Sequence, residues 1–302
     1  MSGSDVSPTR RLWRVVRPGF GHGLTAVLLA ALAMTCAIGL IATSGWLISR
    51  AWERPPILAL TVAVVAVRAF GIGRGVFRYA ERLVSHDAAF RGLSRLRELI
   101  VGRMAVLMPA GTPGIQRGDS LRRVVDDVDS VAELGLRALL PGSVAVLVGG
   151  ATVAFVAWLV PLAGVVLALT LLAAGVLTPW LGSRVAARAT AAEVHLRGEL
   201  AARVAGQLEA CAELVAANAA DRELDRVAAI DEELTSVQIR TARAVGLTTA
   251  IGVLAQGLAL VCAAVFAVPA VRSGELPGTE LAVVILIPLV AFELVASLPA
   301  AA

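Results

Sequence analysis

The sequence predicts an all-α membrane protein with six membrane-spanning helices and two long cytoplasmic helical hairpins. Its 302 residues are 58% hydrophobic, with a mean hydropathy of +0.80, whereas soluble domains are roughly 45–50% apolar. Several apolar stretches reach the roughly 20 residues that a helix needs to cross a bilayer. Long charged stretches interrupt the apolar ones at only two internal places. These three observations together favour paired spans joined by short outer loops.

The N-terminal segment, residues 1–23, is predicted to lie in the cytoplasm. Four arginines, Arg10, Arg11, Arg14 and Arg17, flank the first apolar stretch, and positively charged flanks remain on the cytoplasmic side. That stretch is too long for the apolar core of a signal peptide, so we expect it to stay in the cytoplasmic membrane as an anchor. The predicted spans are residues 24–48, 57–78, 139–160, 162–183, 245–271 and 281–302.

The two hairpins are predicted where helical patterns extend beyond the membrane. The second span continues through a charged segment to about Met108, and a second polar helix covers about 119–136. Residues 141–183 contain no charged residue, which indicates two spans joined by a very short outer turn near Trp158 and Pro161. The polar region 184–243 could form a soluble coiled coil, but its membrane flanks favour a cytoplasmic extension.

The basic residues exclude one activity for this chain. It contains no Lys, so all 27 strongly basic side chains are Arg. The phosphate-binding loop G-x-x-x-x-G-K-[ST] needs a Lys that reaches the phosphates. We therefore expect no catalytic residues, no nucleotide-binding domain and no ATP hydrolysis by this chain alone. A partner, or a domain outside this sequence, would bind ATP.

Other function classes are disfavoured by composition and spacing. The net charge is +4 and the isoelectric point is near 9.7, but the arginines flank apolar spans, where they set topology and do not indicate nucleic acid. Three widely spaced cysteines, Cys36, Cys211 and Cys262, have no metal-binding pattern. Cys36 and Cys262 lie in apolar stretches and are expected to be small hydrophobic residues of the core. An intramembrane enzyme is disfavoured because the sequence has no HExxH motif and no paired intramembrane carboxylates.

Several strings resemble one family of transporters. They are Ser44-Gly45-Trp46-Leu47, then Arg78-Tyr79-Ala80-Glu81-Arg82-Leu83-Val84-Ser85-His86-Asp87, the segment from Gly118 to Asp129, and Ala291-Phe292-Glu293. With the six-span layout they resemble the type I exporters of the ABC family, and more narrowly the CydC half of heterodimeric CydDC transporters. The resemblance implies a CydD-like partner with nucleotide-binding domains. It also implies ATP-driven export of haem or low-molecular-weight thiols (glutathione, cysteine) in support of cytochrome bd assembly.

One side of the second span carries a basic stripe. At 100° per residue, Arg68, Arg74, Arg78, Arg82 and His86 fall within an arc of about 120°. Guanidinium groups bind carboxylates in a bidentate manner, so Arg68, Arg74 and Arg78 are predicted to line a cavity for an anionic substrate. The alternative is that the lower arginines mark the cytoplasmic exit and pair with Glu81 or lipid phosphate.

His86 is the candidate ligand for haem iron, the one metal site that we predict. Imidazole is a common axial ligand of haem, and Arg82 and Tyr79 lie nearby on the predicted helix. The alternative is that His86 is structural. His22 and His195 lie outside the motif and are interpreted as structural or surface residues.

The resemblance assigns two segments to coupling with the nucleotide-binding domains, and both could otherwise be solvated helices with charge pairs. The assigned residues are Gly118, Asp119, Arg122, Arg123, Asp126 and Asp127 in the first segment, and Asn218, Asp221 and Arg222 in the second. A competing hypothesis for the whole chain is a structural or regulatory membrane subunit that moves no substrate. Such a subunit would be favoured if the basic stripe packed entirely against acidic residues.

Overall fold

The structure is a computed structural model that describes residues 20–107, 140–296 and 298. The described residues are almost all helical and include no strand, which confirms the all-α prediction. Nine α-helices follow one another along the described part of the chain. They are α1 (Phe20–Trp52), α2 (Ile57–Leu107), α3 (Leu140–Leu159), α4 (Pro161–Leu172), α5 (Thr178–Glu209), α6 (Cys211–Ala216), α7 (Ala220–Ser273), α8 (Leu281–Ala291) and α9 (Glu293–Ala296).

Six helical segments of the described part are long and apolar enough to span a membrane, as the sequence predicted. They are Gly23–Trp52, Ile57–Leu99, Leu140–Leu159, Pro161–Trp180, Ala220–Ser273 and Gly278–Ala296. The helices α2 and α7 have 51 and 54 residues. At a rise of 1.5 Å per residue they are about 77 and 81 Å long, far beyond the roughly 30 Å of a hydrocarbon core.

The chain divides into two compact units. One contains the described residues up to Leu171 together with those from Gln256 onward, and the other runs from Leu172 to Ala255.

The first unit is built on close packing of α1 against α2. Glycines permit that approach: a Cβ on Gly39 would lie 2.9 Å from the ring of Phe70, and one on Gly73 would lie 3.1 Å from Sγ of Cys36. The helices α3 and α8 also contact α1, and α9 contacts α3. A core cluster of Ala31, Val144, Val148 and Leu294 joins α1, α3 and α9.

A sharp bend separates α3 from α4, with Val160 as the single residue between them. A Cβ on Gly164 would overlap the backbone of Ala157. Only glycine therefore fits at this position. Pro161 begins α4, where its missing N–H removes no helical hydrogen bond.

The second unit is a hairpin of α5 and α7 closed by the short α6. Leu196, Leu234 and Val237 form its apolar core. Near the tip, Nε2 of Gln207 donates a hydrogen bond of 2.7 Å to the carbonyl oxygen of Glu223. The hairpin is thus held by a local apolar contact and a side chain to backbone bond.

Candidate functional site

A cavity of about 190 Å³ lies among α1, α2, α3 and α9. Four charged residues line it: Arg74, Arg78, Glu81 and Glu293. Alanine and methionine side chains of α1 and apolar residues of α3 and α9 complete the wall. At 1.5 Å per residue, Arg74, Arg78 and Glu81 lie about 26, 32 and 36 Å along α2 from Ile57, at or beyond the far edge of an apolar layer of about 30 Å.

An ion pair crosses the cavity wall between α2 and α9. Nη2 of Arg74 donates to Oε2 of Glu293 at 2.9 Å and to Oε1 at 3.3 Å. The two side chains are 32% and 46% exposed, so the pair is only partly buried by the described residues. The bond nevertheless joins helices whose residues are 219 positions apart.

The other two charged residues of the cavity have no partner of opposite charge among residues 20–107 and 140–296. Neither Arg78 nor Glu81 forms an ion pair with another described residue. They are three residues apart on α2, so their Cβ atoms are about 5–6 Å apart. Among the described residues, the cavity therefore contains one ion pair, Arg74 with Glu293, and an arginine and a glutamate that are not paired with another described residue.

The remaining residues of the predicted stripe lie on a different side of α2. Six exposed residues share an arc of about 80°, and we call this the exposed face: Arg68, Gly71, Gly75, Tyr79, Arg82 and His86. A Cβ added to Gly71 or Gly75 would meet no atom within 4 Å. Arg68 does not line the cavity, and neither Arg68 nor Arg82 pairs with an acidic residue among those described. The predicted stripe is thus divided between two environments.

The depth of Arg68 bears on what covers the exposed face. Arg68 is eleven residues from the start of α2 at Ile57, which is about 16 Å along the helix. It therefore lies near the middle of an apolar layer of about 30 Å. Since a guanidinium in contact with lipid is costly there, we expect this face to contact protein or water in the membrane.

The three residues of the predicted haem site lie together on the exposed face. Arg82 is one helical turn from His86, and Tyr79 is two turns from it. The imidazole of His86 is exposed, and its ring centroid lies 6.2 Å from that of Phe90. Among the residues that the structure describes, no three His, Cys, Asp or Glu side chains cluster as metal ligands. A single exposed imidazole with a nearby guanidinium fits an axial haem contact with a propionate partner.

The predicted coupling residues are described only for the second segment. Gly118, Asp119, Arg122, Arg123, Asp126 and Asp127 lie outside the described residues. Asn218 has φ +51° between α6 and α7, a left-handed conformation that Asn tolerates better than most residues. Asp221 and Arg222 are exposed in the first turn of α7, where the acidic side chain suits the helix N-terminus.

Glu293 is the cavity residue whose role sequence reasoning missed. It contributed only to the family resemblance, although it is the one charged residue in the predicted span 281–302. A lone carboxylate in an apolar span needs a partner, and the arginines of the second span supply candidates. That signal was available, but it does not decide which arginine is the partner.

Comparison with known proteins identifies relatives of the chain. No family model matches it. The chain is 32% identical over 292 residues to the glutathione/L-cysteine transport system ATP-binding/permease protein CydC of Escherichia coli (strain K12), which covers 89% of this chain and 48% of that protein. The chain is a relative of the CydC and CydD transport proteins. The CydC protein of Haemophilus influenzae is 35% identical over 127 residues, or 41% of this chain and 22% of that protein.

A CydD protein is similar as well. The glutathione/L-cysteine transport system ATP-binding/permease protein CydD of Bacillus subtilis (strain 168) is 34% identical over 122 residues, or 40% of this chain and 21% of that protein. Matches to both subunits support the ABC exporter family without selecting one subunit. The chain spans about half the length of the E. coli relative.

Proposed function

We propose that this chain is the membrane-spanning half of an ATP-driven ABC exporter that moves low-molecular-weight thiols or haem in support of cytochrome bd assembly. It would act in the cytoplasmic membrane with its N-terminus in the cytoplasm, paired with a CydD-like ABC subunit. Its relatives are named as glutathione/L-cysteine transport proteins. The observation that carries the proposal is the cavity lined by Arg74, Arg78, Glu81 and Glu293 together with apolar residues of α1, α3 and α9.

The size of the cavity favours thiols as its ligands. Its volume is about 190 Å³, below the roughly 300–1,000 Å³ of pockets for drug-sized ligands. An amino-acid-sized thiol suits such a space, whereas a porphyrin does not. The guanidinium group of Arg78 supplies charge for a ligand carboxylate, while Arg74 is engaged by Glu293.

Haem is the second candidate ligand, and we place it at the exposed face. His86 would bind the iron through its exposed imidazole, while Arg82 would contact a propionate and Tyr79 the ring edge. Bound haem would supply a redox-active iron centre at this face. The chain would provide the imidazole nitrogen of His86 for the iron and the guanidinium of Arg82 as a counter-charge.

The hairpin of the second unit supports the proposed coupling to ATP. Asn218, Asp221 and Arg222 lie at or beside its turn, where an exposed tip can dock on a nucleotide-binding domain. The 54 residues of α7 join that tip to a membrane-spanning segment without interruption. In the proposed exporter, movement of a docked nucleotide-binding domain would reach the membrane through this connection of the chain.

The alternative is a structural or regulatory subunit that moves no substrate. It predicts arginines packed entirely against acidic residues. Arg74 meets that description, since it pairs with Glu293. Arg68, Arg78 and Arg82 form no ion pair with other described residues, and this favours the transporter.

The decisive experiment is co-purification with a CydD-like ABC subunit, followed by ATPase and transport assays. The chain alone should hydrolyse no ATP, because it has no Lys for a phosphate loop. The complex should hydrolyse ATP faster with L-cysteine, glutathione or haemin. Robust turnover by the chain alone would contradict the proposal, and a complex that neither responds to these compounds nor transports them would favour the structural subunit.

The haem assignment has its own test in the same complex. His86→Ala should remove or shift the Soret absorption of bound haem, because the axial nitrogen is lost. Arg82→Ala should weaken haem binding without that spectral change, because only a propionate contact is lost. His195→Ala, on an exposed position of α5, is the matched control. If haem binds and His86→Ala changes neither spectrum nor affinity, His86 is not the axial ligand.

A further inference from the structure

The charges of the cavity are balanced, and this limits which ligands it suits. Two guanidinium groups and two carboxylates line the same space of about 190 Å³. One of each is already engaged, because Arg74 bonds Glu293 at 2.9 Å. Arg78 and Glu81 remain without a described counter-charge on adjacent positions of one helix face. In the part of the chain that the structure describes, the unpaired charges of the cavity are therefore one cation and one anion side by side.

A ligand with a single kind of charge fits these groups poorly. A purely anionic ligand could bind Arg78 but would bring its charge close to Glu81. A purely cationic ligand could bind Glu81 but would leave Arg78 unmatched. A ligand with both charges satisfies both groups through charge-assisted hydrogen bonds, which are the stronger class. The balance of charge in the cavity thus favours ligands that carry both a positive and a negative charge.

The fixed pair contributes to this selection by holding the wall in place. With Arg74 engaged by Glu293, the guanidinium of Arg78 and the carboxylate of Glu81 are the groups left for the ligand. The rest of the wall is apolar and includes Met34, Val144 and Leu294. Such a wall suits a short side chain of low polarity, for which a thiol-bearing methylene qualifies.

We infer that the cavity selects ligands that carry both a free amino group and a free carboxylate, with Arg78 taking the carboxylate and Glu81 the ammonium. Arg74 and Glu293 are positioning residues that fix the wall beside them. This inference rests on the proposed transport function and deepens it, because it names the group of the substrate that is recognised. It makes Glu81 a specificity-determining residue that excludes N-blocked analogues.

The test is equilibrium binding to the full chain in lipid nanodiscs, with three probes. They are L-cysteine, N-acetyl-L-cysteine, which lacks the ammonium, and cysteamine, which lacks the carboxylate. L-Cysteine should bind at least about tenfold more tightly than either analogue, the ratio that one lost charge-assisted hydrogen bond of roughly 1.4 kcal/mol produces. Equal binding of all three would overturn the inference.

Two variants test separately which residue recognises the ammonium group and which recognises the carboxylate. Glu81→Gln should bring L-cysteine close to N-acetyl-L-cysteine in affinity, and Arg78→Gln should bring it close to cysteamine. Asp87→Asn is the control, because Asp87 is not among the residues that line the cavity and forms an ion pair of 2.8 Å with Arg91. This variant should leave both affinity ratios unchanged. If Glu81→Gln weakens all three probes by the same factor, its role is only structural and the inference is wrong.

The outcome separates this inference from the proposed function. If the three probes bind equally and the complex still transports thiols, the inference is wrong and the proposed transport function stands. Selective binding in a complex that transports none of the probes would support the inference and contradict the proposed transport function. If no probe binds the unmodified chain, although its thermal unfolding is cooperative, the cavity is no substrate site and both proposals fail.

Discussion

Two sides of the helix α2 differ in what surrounds them. On the cavity side, Gly73 contacts α1 and Arg74 reaches across to α9. On the exposed face, Gly75 and Arg68 lie within about one and a half turns of those residues and contact nothing comparable in the described part of the chain. The same residue types, a glycine and an arginine, therefore have different roles. The difference shows that residues on one stripe of a helical wheel point in similar directions but do not necessarily belong to one binding site.

The largest expected difference concerns the glycines. Gly73→Leu should lower the free energy of unfolding by about 1–3 kcal/mol, because the new side chain overpacks a contact with Cys36 that is already tight. Gly75→Leu should leave it unchanged or raise it slightly, since it gains helix propensity of under about 1 kcal/mol and meets open space. Thermal unfolding of the purified full chain in detergent measures both.

Assembly should reverse that order if a partner covers the exposed face. Small residues allow membrane helices to approach closely, so Gly75→Leu should reduce the amount of CydD-like subunit that co-purifies while the chain stays folded. Equal losses of stability for Gly73→Leu and Gly75→Leu in the isolated chain would show that the two sides do not differ in packing.

The ion pairs of α2 give the next comparison, of intermediate size. Arg74→Gln or Glu293→Gln should each cost about 1 kcal/mol of unfolding free energy, because the partner charge loses its counter-charge at a half-exposed site. The double variant should cost less than the sum of the two. A double-mutant cycle by thermal or denaturant unfolding measures the coupling.

The pair of Asp87 and Arg91 is the matched control for that cycle. It lies on the same helix at a spacing of four residues, with side chains 49% and 59% exposed. Its coupling energy should be about 0.2–0.5 kcal/mol, the value of exposed helical pairs. A coupling energy between Arg74 and Glu293 no greater than this would mean that the bond between α2 and α9 stabilises the fold no more than an exposed pair within one helix.

The smallest effect is expected for Arg68. Arg68→Gln should change the unfolding free energy of the isolated chain by less than about 0.5 kcal/mol, because the side chain is exposed and forms no ion pair with another described residue. Arg74→Gln, measured in parallel, provides the comparison at the cavity side. A loss at Arg68 as large as that at Arg74 would contradict the assignment of Arg68 to an unpartnered face.

The helices themselves were predictable because their cause is local. Apolar stretches of sufficient length satisfy their backbone hydrogen bonds as helices in lipid, so the six spans could be recognised one at a time. The continuation of α2 beyond the membrane followed from its helical pattern. The turn near Trp158 and Pro161 followed from a charge-free stretch about twice the length of one span.

What the sequence by itself determined was which residues share an arc of each helix, and tertiary structure decided what each arc contacts. The 100° period placed Arg68, Arg74 and Arg78 on one stripe, yet the packing of α1 against α2 and the bond from Arg74 to Glu293 of α9 divided it. Glu293 reaches Arg74 only because two segments 219 positions apart meet. The period of a helix is a property of its own backbone. The neighbours of a helix are set by steric fit between helices, as where the ring of Phe70 packs against Gly39, which has no side chain. That fit depends on all the packed helices at once.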